Sequence, residues 1–334
     1  MSTQTALVTG ANGFLGAHVV RALIARGNQV RALVREGADR RALEGVNCEI
    51  AVGDLRDAEA VERAVRGCDQ VYHVAADYRL WVIDEAPMYA SNVDGTRNLL
   101  EASRRAGVSK IIHTSTVGAL GLGPDGIGRE DTPVALGNMI GPYKRSKFMA
   151  EQLARAAARE GLPVVIVNPS TPIGALDFKP TPTGRIIVEF LNRRMPAYVE
   201  TGLNLACVED VAQGHLLAAD RGRVGEKYIL GGENLTLQAM LGRLAVLSGL
   251  PAPRVRIPYT VAIGFAYAAE AVARTITQRA PRASVTEVRM ARKKMFFDSS
   301  RAATELGYVA QPIDQGLARA IDFFRRIGAV RASA

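Results

Sequence analysis

Short apolar runs alternate along this chain with stretches of helical spacing. Thr5 to Thr9 is an apolar run that ends in glycines, Ala17 to Ala25 repeats apolar positions every three or four residues and stops at Gly27, and Gln29 to Val34 is a second run. Runs of this length bounded by glycine predict strands, and the spaced stretch predicts a helix. The alternation continues with a strand at Glu49 to Val52, a helix over Ala58 to Val65, a strand at Gln70 to Val74 and a helix from about Ala90 to Arg105. A strand at Lys110 to Thr114, a helix from near Tyr143 to Glu160 and a strand at Pro163 to Val167 follow. Strand and helix in strict alternation predict an α/β fold whose parallel sheet is covered on both faces.

Beyond Val167 the texture changes. Proline and glycine punctuate Pro169 to Gly184, as in a loop around a ligand. Residues 1–174 are expected to form one domain and 175–334 mainly a smaller, mostly helical lobe. Segments near 202–231, including the strand-like Lys227 to Leu230, are expected to return to the first domain. The most apolar later stretch, Tyr259 to Ala269, is interrupted by Glu270 and is too short to span a bilayer. It is expected to be a core helix of the lobe, although its length also suits lying on a membrane.

Composition narrows the class. A chain of 334 residues with 48% hydrophobic and 22% charged residues excludes disorder, and three cysteines give neither a disulfide framework nor a metal-ligand spacing. The four histidines show no metal-ligand pattern, so no metal site is expected. Met1 to Val8 has no basic segment followed by a long apolar run, which predicts a cytoplasmic protein. The formal charge of +9 suits an anionic partner, either a phosphorylated cofactor or a charged lipid surface. Nucleic acid is not expected, because the basic residues are scattered and no nucleic-acid-binding signature is present. The basic run Arg289 to Lys294 reads as a solvated face.

Candidate chemistry begins at Thr9-Gly-Ala-Asn-Gly-Phe-Leu-Gly16, between a predicted strand and helix. Gly10 permits the tight turn, Gly13 lets backbone approach a pyrophosphate, and Gly16 permits close packing, with Asn12, Phe14 and Leu15 completing the turn. This is the fingerprint of a Rossmann-type doubly wound sheet, so residues 1–174 are read as the nucleotide-binding domain. Arg35 follows the second strand, where a site for NAD would offer an acid to the ribose. Arginine there suits a 2′-phosphate, so NADPH is favoured, with NAD as the alternative and Arg40 or Arg41 as helpers. Asp54 and Leu55 follow the third strand and are candidates for the adenine pocket.

Tyr143 and Lys147 lie four residues apart and share a face of their predicted helix. A lysine charge and a nicotinamide charge would lower the Tyr143 pKa toward the working range, and Lys147 could also hold the cofactor ribose. Thr116, just beyond the Lys110 to Thr114 strand, could hydrogen-bond the substrate oxygen, with Ser115 as a competitor. Asp77, Tyr78 and Trp81 follow the fourth strand at the edge where Rossmann ligands bind and are candidate substrate contacts, as is Phe178. Thr171 is placed in the same ligand loop.

With these motifs the chain resembles the extended short-chain dehydrogenase/reductase family. The resemblance rests on the glycine motif, Asp54-Leu55, His73-Val-Ala-Ala76, Asn92-Val-Asp-Gly-Thr96, Thr114-Ser-Thr116 and the Tyr143 to Lys147 spacing, and covers essentially the whole chain. It implies that Thr116, Tyr143 and Lys147 act with a nicotinamide cofactor lined by Ala75, Ala76, Pro169 and the backbone after it. Ala76-Asp-Tyr-Arg-Leu-Trp81, Gly202-Leu-Asn-Leu and Val208-Glu-Asp-Val-Ala-Gln-Gly-His215 are similar to the hopanoid-associated sugar epimerase (HpnA) subfamily. Dihydroflavonol reductases and 3β-hydroxysteroid dehydrogenases are also similar, Arg35 included. Typical nucleotide-sugar epimerases carry an arginine before the segment matching Cys207 to Val211, whereas Asn204 and Leu205 stand there.

The expected function is therefore an NADPH-dependent oxidoreductase exchanging hydride with a carbonyl or secondary alcohol, Tyr143 being the acid and base. The alternatives are a sugar epimerase working by transient oxidation and a non-catalytic nicotinamide-binding scaffold. Expected partners are a small carbonyl, alcohol or sugar substrate and, more loosely, a second copy in a homodimer or the inner membrane face.

Overall fold

The computed structural model describes residues 4–281 and 283–330. Seven strands form the main sheet: Thr5–Thr9 (β1), Gln29–Val34 (β2), Glu49–Val52 (β3), Gln70–His73 (β4), Lys110–Thr114 (β5), Val164–Pro169 (β6) and Lys227–Leu230 (β7). They lie in the order β3-β2-β1-β4-β5-β6-β7, and every neighbouring pair is parallel. The order reverses direction between β1 and β4, which opens a crevice at their carboxyl ends. Register aligns Thr9 with His73 and His73 with His113, so the carboxyl ends of three strands lie at one level.

Two apolar layers enclose the sheet. Helices Phe14–Ala25 (α1) and Val208–Arg221 pack with alternate residues such as Val8, Tyr72 and Ile112 on one face. On the other face, Leu7, Val71, Ile111 and Ile166 meet helices Ala58–Val65 (α2), Gly95–Ala106 (α3) and Gly141–Arg159 (α4). Period-two alternation explains why both faces are apolar: neither reaches water. A separate core forms the second lobe from helices Pro182–Leu191 (α5), Leu237–Ser248 (α7) and Ile313–Arg326 (α10), with strand Gly202–Cys207 beneath; the helix Val208–Arg221 is α6.

Several boundaries differ from the predicted ones for identifiable reasons. The helix expected from Ala90 begins at Ala86 and passes through a π-turn at Ala90–Asp94 before α3, because Asn92 turns inward to bond backbone. The strand expected at Pro163–Val167 runs from Val164 to Pro169, extended by pairing with β7. The strand expected to end at Val74 ends at His73. Residues 302–308, expected in the lobe, fold back onto the main core, where Tyr308 is buried and Arg221 donates to the Leu306 carbonyl at 2.9 Å. The helix Tyr259–Val272 (α8) is not a core helix: only Ala262 and Ala266 are buried.

Three histidines are sealed in this sheet region as neutral groups. Burial lowers the pKa of His73 to about 3 and of His215 to about 4, and holds His113 well below the ordinary value. In the unfolded chain each titrates near 6.5. The unfolded state therefore binds more protons below that pH, and stability is lost as pH falls from about 6.5 toward the folded values, by up to about 1.4 kcal/mol per pH unit for each histidine. Thermal unfolding midpoints measured between pH 7.5 and 5 should fall steadily; a flat profile would show that these rings are not held neutral.

Candidate active site

The glycine turn is shaped by contacts that tolerate no side chain. A Cβ on Gly16 would lie 2.1 Å from the Gly10 carbonyl oxygen, and one on Gly10 would lie 2.7 Å from Ala75 Cα. Gly10 also has φ +64°, where glycine is at ease. Gly13 caps α1 with backbone only, and neither a capping side chain nor an acid occupies the first turn. A helix N-terminus of this kind, left open at the crevice, suits a pyrophosphate. The residues present thus fit a dinucleotide. Asn12 turns away to donate to the Asp39 carbonyl at 2.9 Å, which ties the loop after β2 to the turn.

Arg35 stands exposed at the end of β2, and its side chain makes no hydrogen bond or ion pair with another described residue. Its charge reaches both Asp54 and Asp77 and contributes to holding those carboxyls low. Asp54 is held low chiefly by Arg56, which donates to it at 2.8 Å. Leu55 is buried against Gly95 of α3. Arg40 is exposed, whereas Arg41 pairs with Asp39 at 2.6 Å and lies over the Phe178 ring.

A chain of hydrogen bonds joins this turn to α4. Ala75 N donates to Thr9 Oγ1 at 3.1 Å, and Thr9 Oγ1 lies 2.9 Å from His73 Nδ1. His73 Nε2 lies 2.9 Å from Thr96 Oγ1, which itself donates to the Asn92 carbonyl at 2.6 Å. Because the Thr96 proton is committed, His73 must donate from Nε2 and accept at Nδ1, which fixes its tautomer. Asn92 then accepts from Asp77 N at 2.7 Å and donates to the Asp77 carbonyl and to Ser146 Oγ, each at 2.9 Å. Asn92, Thr96 and Ser146 were not among the predicted site residues. The Asn92-to-Thr96 motif was the available signal, but its partners lie 15 and 54 residues away from Asn92.

The end of β5 is held from both faces. Lys147 is buried and donates from Nζ to the Thr114 carbonyl at 2.6 Å, while His215 Nε2 lies 3.0 Å from Thr114 Oγ1 on the other side. Ser115 turns into the interior and donates to Glu151 at 2.6 Å; Asn168 donates to the same carboxylate at 2.9 Å. Lys227 pairs with Glu151 at 3.6 Å. With Ser115 committed to this cluster, the Thr116 hydroxyl is the one that faces the Tyr143 phenol and favours its ionised form. Thr116 Oγ1 also accepts from Gly118 N at 3.1 Å.

Electrostatics differ from the expectation at one point. Burial raises the Tyr143 pKa more than the facing Thr116 hydroxyl lowers it, and Tyr78 raises it further. The Lys147 charge is directed at Thr114, so the chain's own residues do not produce the expected lowering. Lys147 itself is lowered by burial to about 8, with the Glu151 charge opposing.

The four predicted substrate residues are not gathered at one point. Tyr78 is near enough to Tyr143 to act on it electrostatically, and Asp77, held low despite its burial, is gripped by Arg79. Trp81 lies under Arg274, 5.8 Å from its guanidinium, with its indole N–H unpartnered among the described residues. Phe178 packs edge-on against Phe323 and beneath Arg41, on the side of the β2 loop. Pro169 ends β6, and Thr171 begins a short strand paired with Leu205. Among the described residues no group of three His, Cys, Asp or Glu side chains could hold a metal ion.

Comparison with known proteins adds independent weight. The model of the NAD dependent epimerase/dehydratase family matches residues 6–231. A Synechocystis protein provisionally named dihydroflavonol 4-reductase is 45% identical, with 97% of this chain and 95% of that protein aligned. Sterol demethylase protein B of Methylococcus capsulatus is 38% identical, over 98% of this chain and all (100%) of that protein. Among solved structures, a nucleoside-diphosphate-sugar epimerase from Pseudomonas aeruginosa superposes with TM-score 0.83 at 31% identity, covering 99% of this chain and 100% of that one. A UDP-glucose 4-epimerase from Thermus thermophilus, solved with NAD, gives TM-score 0.76 at 26% identity, covering 96% and 99%. The non-catalytic scaffold expectation falls to these likenesses.

Replacing Tyr143 by Phe removes the candidate proton donor and acceptor but little volume. Turnover should drop at least about 100-fold, with cofactor affinity changed no more than about 3-fold, within the usual scatter of such effects. Because the Lys147 ammonium loses its proton near pH 8, turnover that depends on its charge should decline as pH rises through 8, and a Lys147→Met variant should lack that limb. Steady-state rates from pH 6 to 10 check both statements.

Proposed function

We propose a function from one premise: the chain belongs to the NAD dependent epimerase/dehydratase family and, within it, to the extended short-chain dehydrogenase/reductases. It is an enzyme, an NAD(P)-dependent oxidoreductase or epimerase. Its finer assignment, in our reading, is an NADPH-dependent oxidoreductase acting between a carbonyl and a secondary alcohol. The observation that carries this is the buried bond from Lys147 to the Thr114 carbonyl, which sets Tyr143 facing Thr116 at the end of β5, at the same sheet edge as the open glycine turn.

Gly10, Gly13 and Gly16 would receive the pyrophosphate, Asp54 and Leu55 the adenine, and Ala75, Ala76, Pro169 and Thr171 would line the nicotinamide half. When bound, the nicotinamide supplies hydride exchange and, oxidised, a positive charge that favours the Tyr143 phenolate. Thr116 and Tyr143 together would hold the substrate oxygen. In reduction Tyr143 gives its proton to that oxygen; in oxidation it takes the proton away. Lys147 positions the end of β5 and would hold the ribose. Tyr78 is the substrate contact best supported by position, with Asp77, Trp81 and Phe178 forming outer walls. Residues 1–174 act as the nucleotide-binding unit and 175–334 mainly as the substrate lobe.

Arg35 supports NADPH, since an exposed guanidinium with no hydrogen bond or ion pair among the described residues can take a 2′-phosphate. NAD is supported by the Thermus epimerase, which holds it. Epimerisation by transient oxidation is the second reading, and the family description and the sugar-epimerase structures lend it the broader support. Against a nucleotide-sugar substrate stands the strand Gly202–Cys207. Asn204 is buried, its amide donating to the Asn234 side chain at 2.8 Å and to the Gly232 carbonyl at 3.1 Å, and Leu205 is in the lobe core. That strand therefore offers no cation to a diphosphate. A tie to hopanoid biosynthesis rests on motif resemblance alone, and a cytoplasmic site on the composition of the chain.

A charge-assisted contact to the 2′-phosphate is worth about 1.5–3 kcal/mol, so Arg35→Ala should weaken NADPH binding roughly 10- to 100-fold and leave NADH within about 2-fold. Calorimetric titration of both cofactors reads this directly. Equal loss for both cofactors would overturn the NADPH assignment. Stoichiometric consumption of cofactor with substrate supports the oxidoreductase, whereas turnover without net consumption establishes the epimerase.

A further inference from the structure

Helix α8, Tyr259–Val272, is apolar around most of its circumference yet lies half outside the lobe core. Val261, Phe265 and Val272 recur at helical spacing on its outer side, and the following turn adds Ile276; Phe265 is 58% exposed and Ile276 75% exposed. No charged residue interrupts this ridge. Beside it runs an apolar groove of about 500 Å³ lined by Phe265, Ala268, Val272, Ala273 and Pro281. A contiguous apolar surface of this kind marks an interaction site.

Charge identifies the partner. Between residues 254 and 294 the sequence holds nine basic residues and two acids, which is most of the chain's net charge of +9. Both acids turn inward: Glu270 accepts from Val285 N at 2.6 Å, and Glu287 accepts from Ser284 N at 2.8 Å in a capping box. The basic side chains Arg254, Arg256, Arg279, Arg292, Lys293 and Lys294 are exposed. Helix Val285–Ala291 (α9) packs on α8, and there Arg289 donates to the Tyr267 hydroxyl at 2.7 Å while Arg292 lies over the Tyr259 ring. Two copies joined through this face by a two-fold axis would bring like charges together, which argues against self-association. No helix among the described residues is long and apolar enough to cross a membrane.

An apolar ridge bordered by tyrosines and a belt of cations matches the interfacial zone of an anionic bilayer. We propose that α8 and the basic rim from α9 to Lys294 dock this protein on an anionic phospholipid surface, with Phe265, Val272 and Ile276 entering the acyl boundary. Arg274, at the carboxyl end of α8, lies over Trp81 in the loop that also carries Tyr78. Docking therefore sets the candidate substrate loop beside the lipid, within reach of an amphiphilic substrate.

The test is sedimentation of the full chain with vesicles of phosphatidylcholine alone and of phosphatidylcholine mixed with phosphatidylglycerol. The mixed vesicles should bind the protein and the neutral ones should not, with binding weakening as salt rises. Arg292→Glu/Lys293→Glu/Lys294→Glu should lower the partition coefficient at least about 10-fold. Phe265→Ser/Ile276→Ser should also lower it while circular dichroism stays unchanged. Equal partition onto both vesicle types, or undiminished binding by the charge-reversal variant, would overturn the proposal. So would capture by polyglutamate without vesicle binding, or a dimer that Phe265→Ser dissolves.

Discussion

The bond from Lys147 Nζ to the Thr114 carbonyl, 2.6 Å long and buried, is the constraint on which the site depends. A buried ammonium is costly unless its protons are taken up, and the last carbonyl of a parallel strand is an acceptor that the sheet ladder leaves free. By satisfying both, this bond pins α4 across the carboxyl end of β5. It thereby brings Tyr143, one turn earlier on α4, to Thr116, two residues beyond Thr114. Removing the lysine would release the helix as well as remove a charge.

The polar layer beneath the crevice follows from the same requirement. His73, Thr9 and Thr96 form one hydrogen-bonded line, and Ser115, Asn168, Glu151 and Lys227 form another. Each line satisfies groups that would otherwise be unpaired in an apolar interior, and each ends at a segment that must be held still. The first ends at Asn92 and the Asp77 backbone, and the second ends at the strand that presents Thr116. Not every buried group in this layer is paired. His113 lies 5.4 Å, ring to ring, from His73 with neither nitrogen hydrogen-bonded among the described residues, and burial holds its pKa well below the ordinary value. The candidate substrate side chains are scattered by comparison, since Phe178 and Trp81 serve the packing of lobe and loop.

The doubly wound sheet was legible because strands buried on both faces must be continuous apolar runs, and β1, β2 and β5 lie where those runs are. The glycine turn was legible because its spacing is dictated by backbone contact. What the sequence did not disclose was direction. Ser115 and Thr116 are equivalent as letters; only the inward cluster around Glu151 separates them. In the protein alone the Lys147 charge does not lower Tyr143, because spacing on a helix does not tell where a lysine ammonium points, and here it points at the Thr114 carbonyl. Helix α8 was expected in the core because apolar composition alone does not distinguish a buried helix from one whose partner is another surface.

The most direct test of the account is a spectrophotometric titration of the Tyr143 phenol, read near 295 nm as the difference between wild type and Tyr143→Phe, with and without NADP. Burial raises this phenol in the protein alone, so the account predicts no tyrosinate below the usual range without cofactor. With oxidised cofactor bound, tyrosinate should appear at least about one pH unit lower, the shift expected of a positive charge placed close by. A phenol that titrates at the same pH in both states would contradict the assignment of Tyr143 as the acid and base of a nicotinamide-dependent reaction.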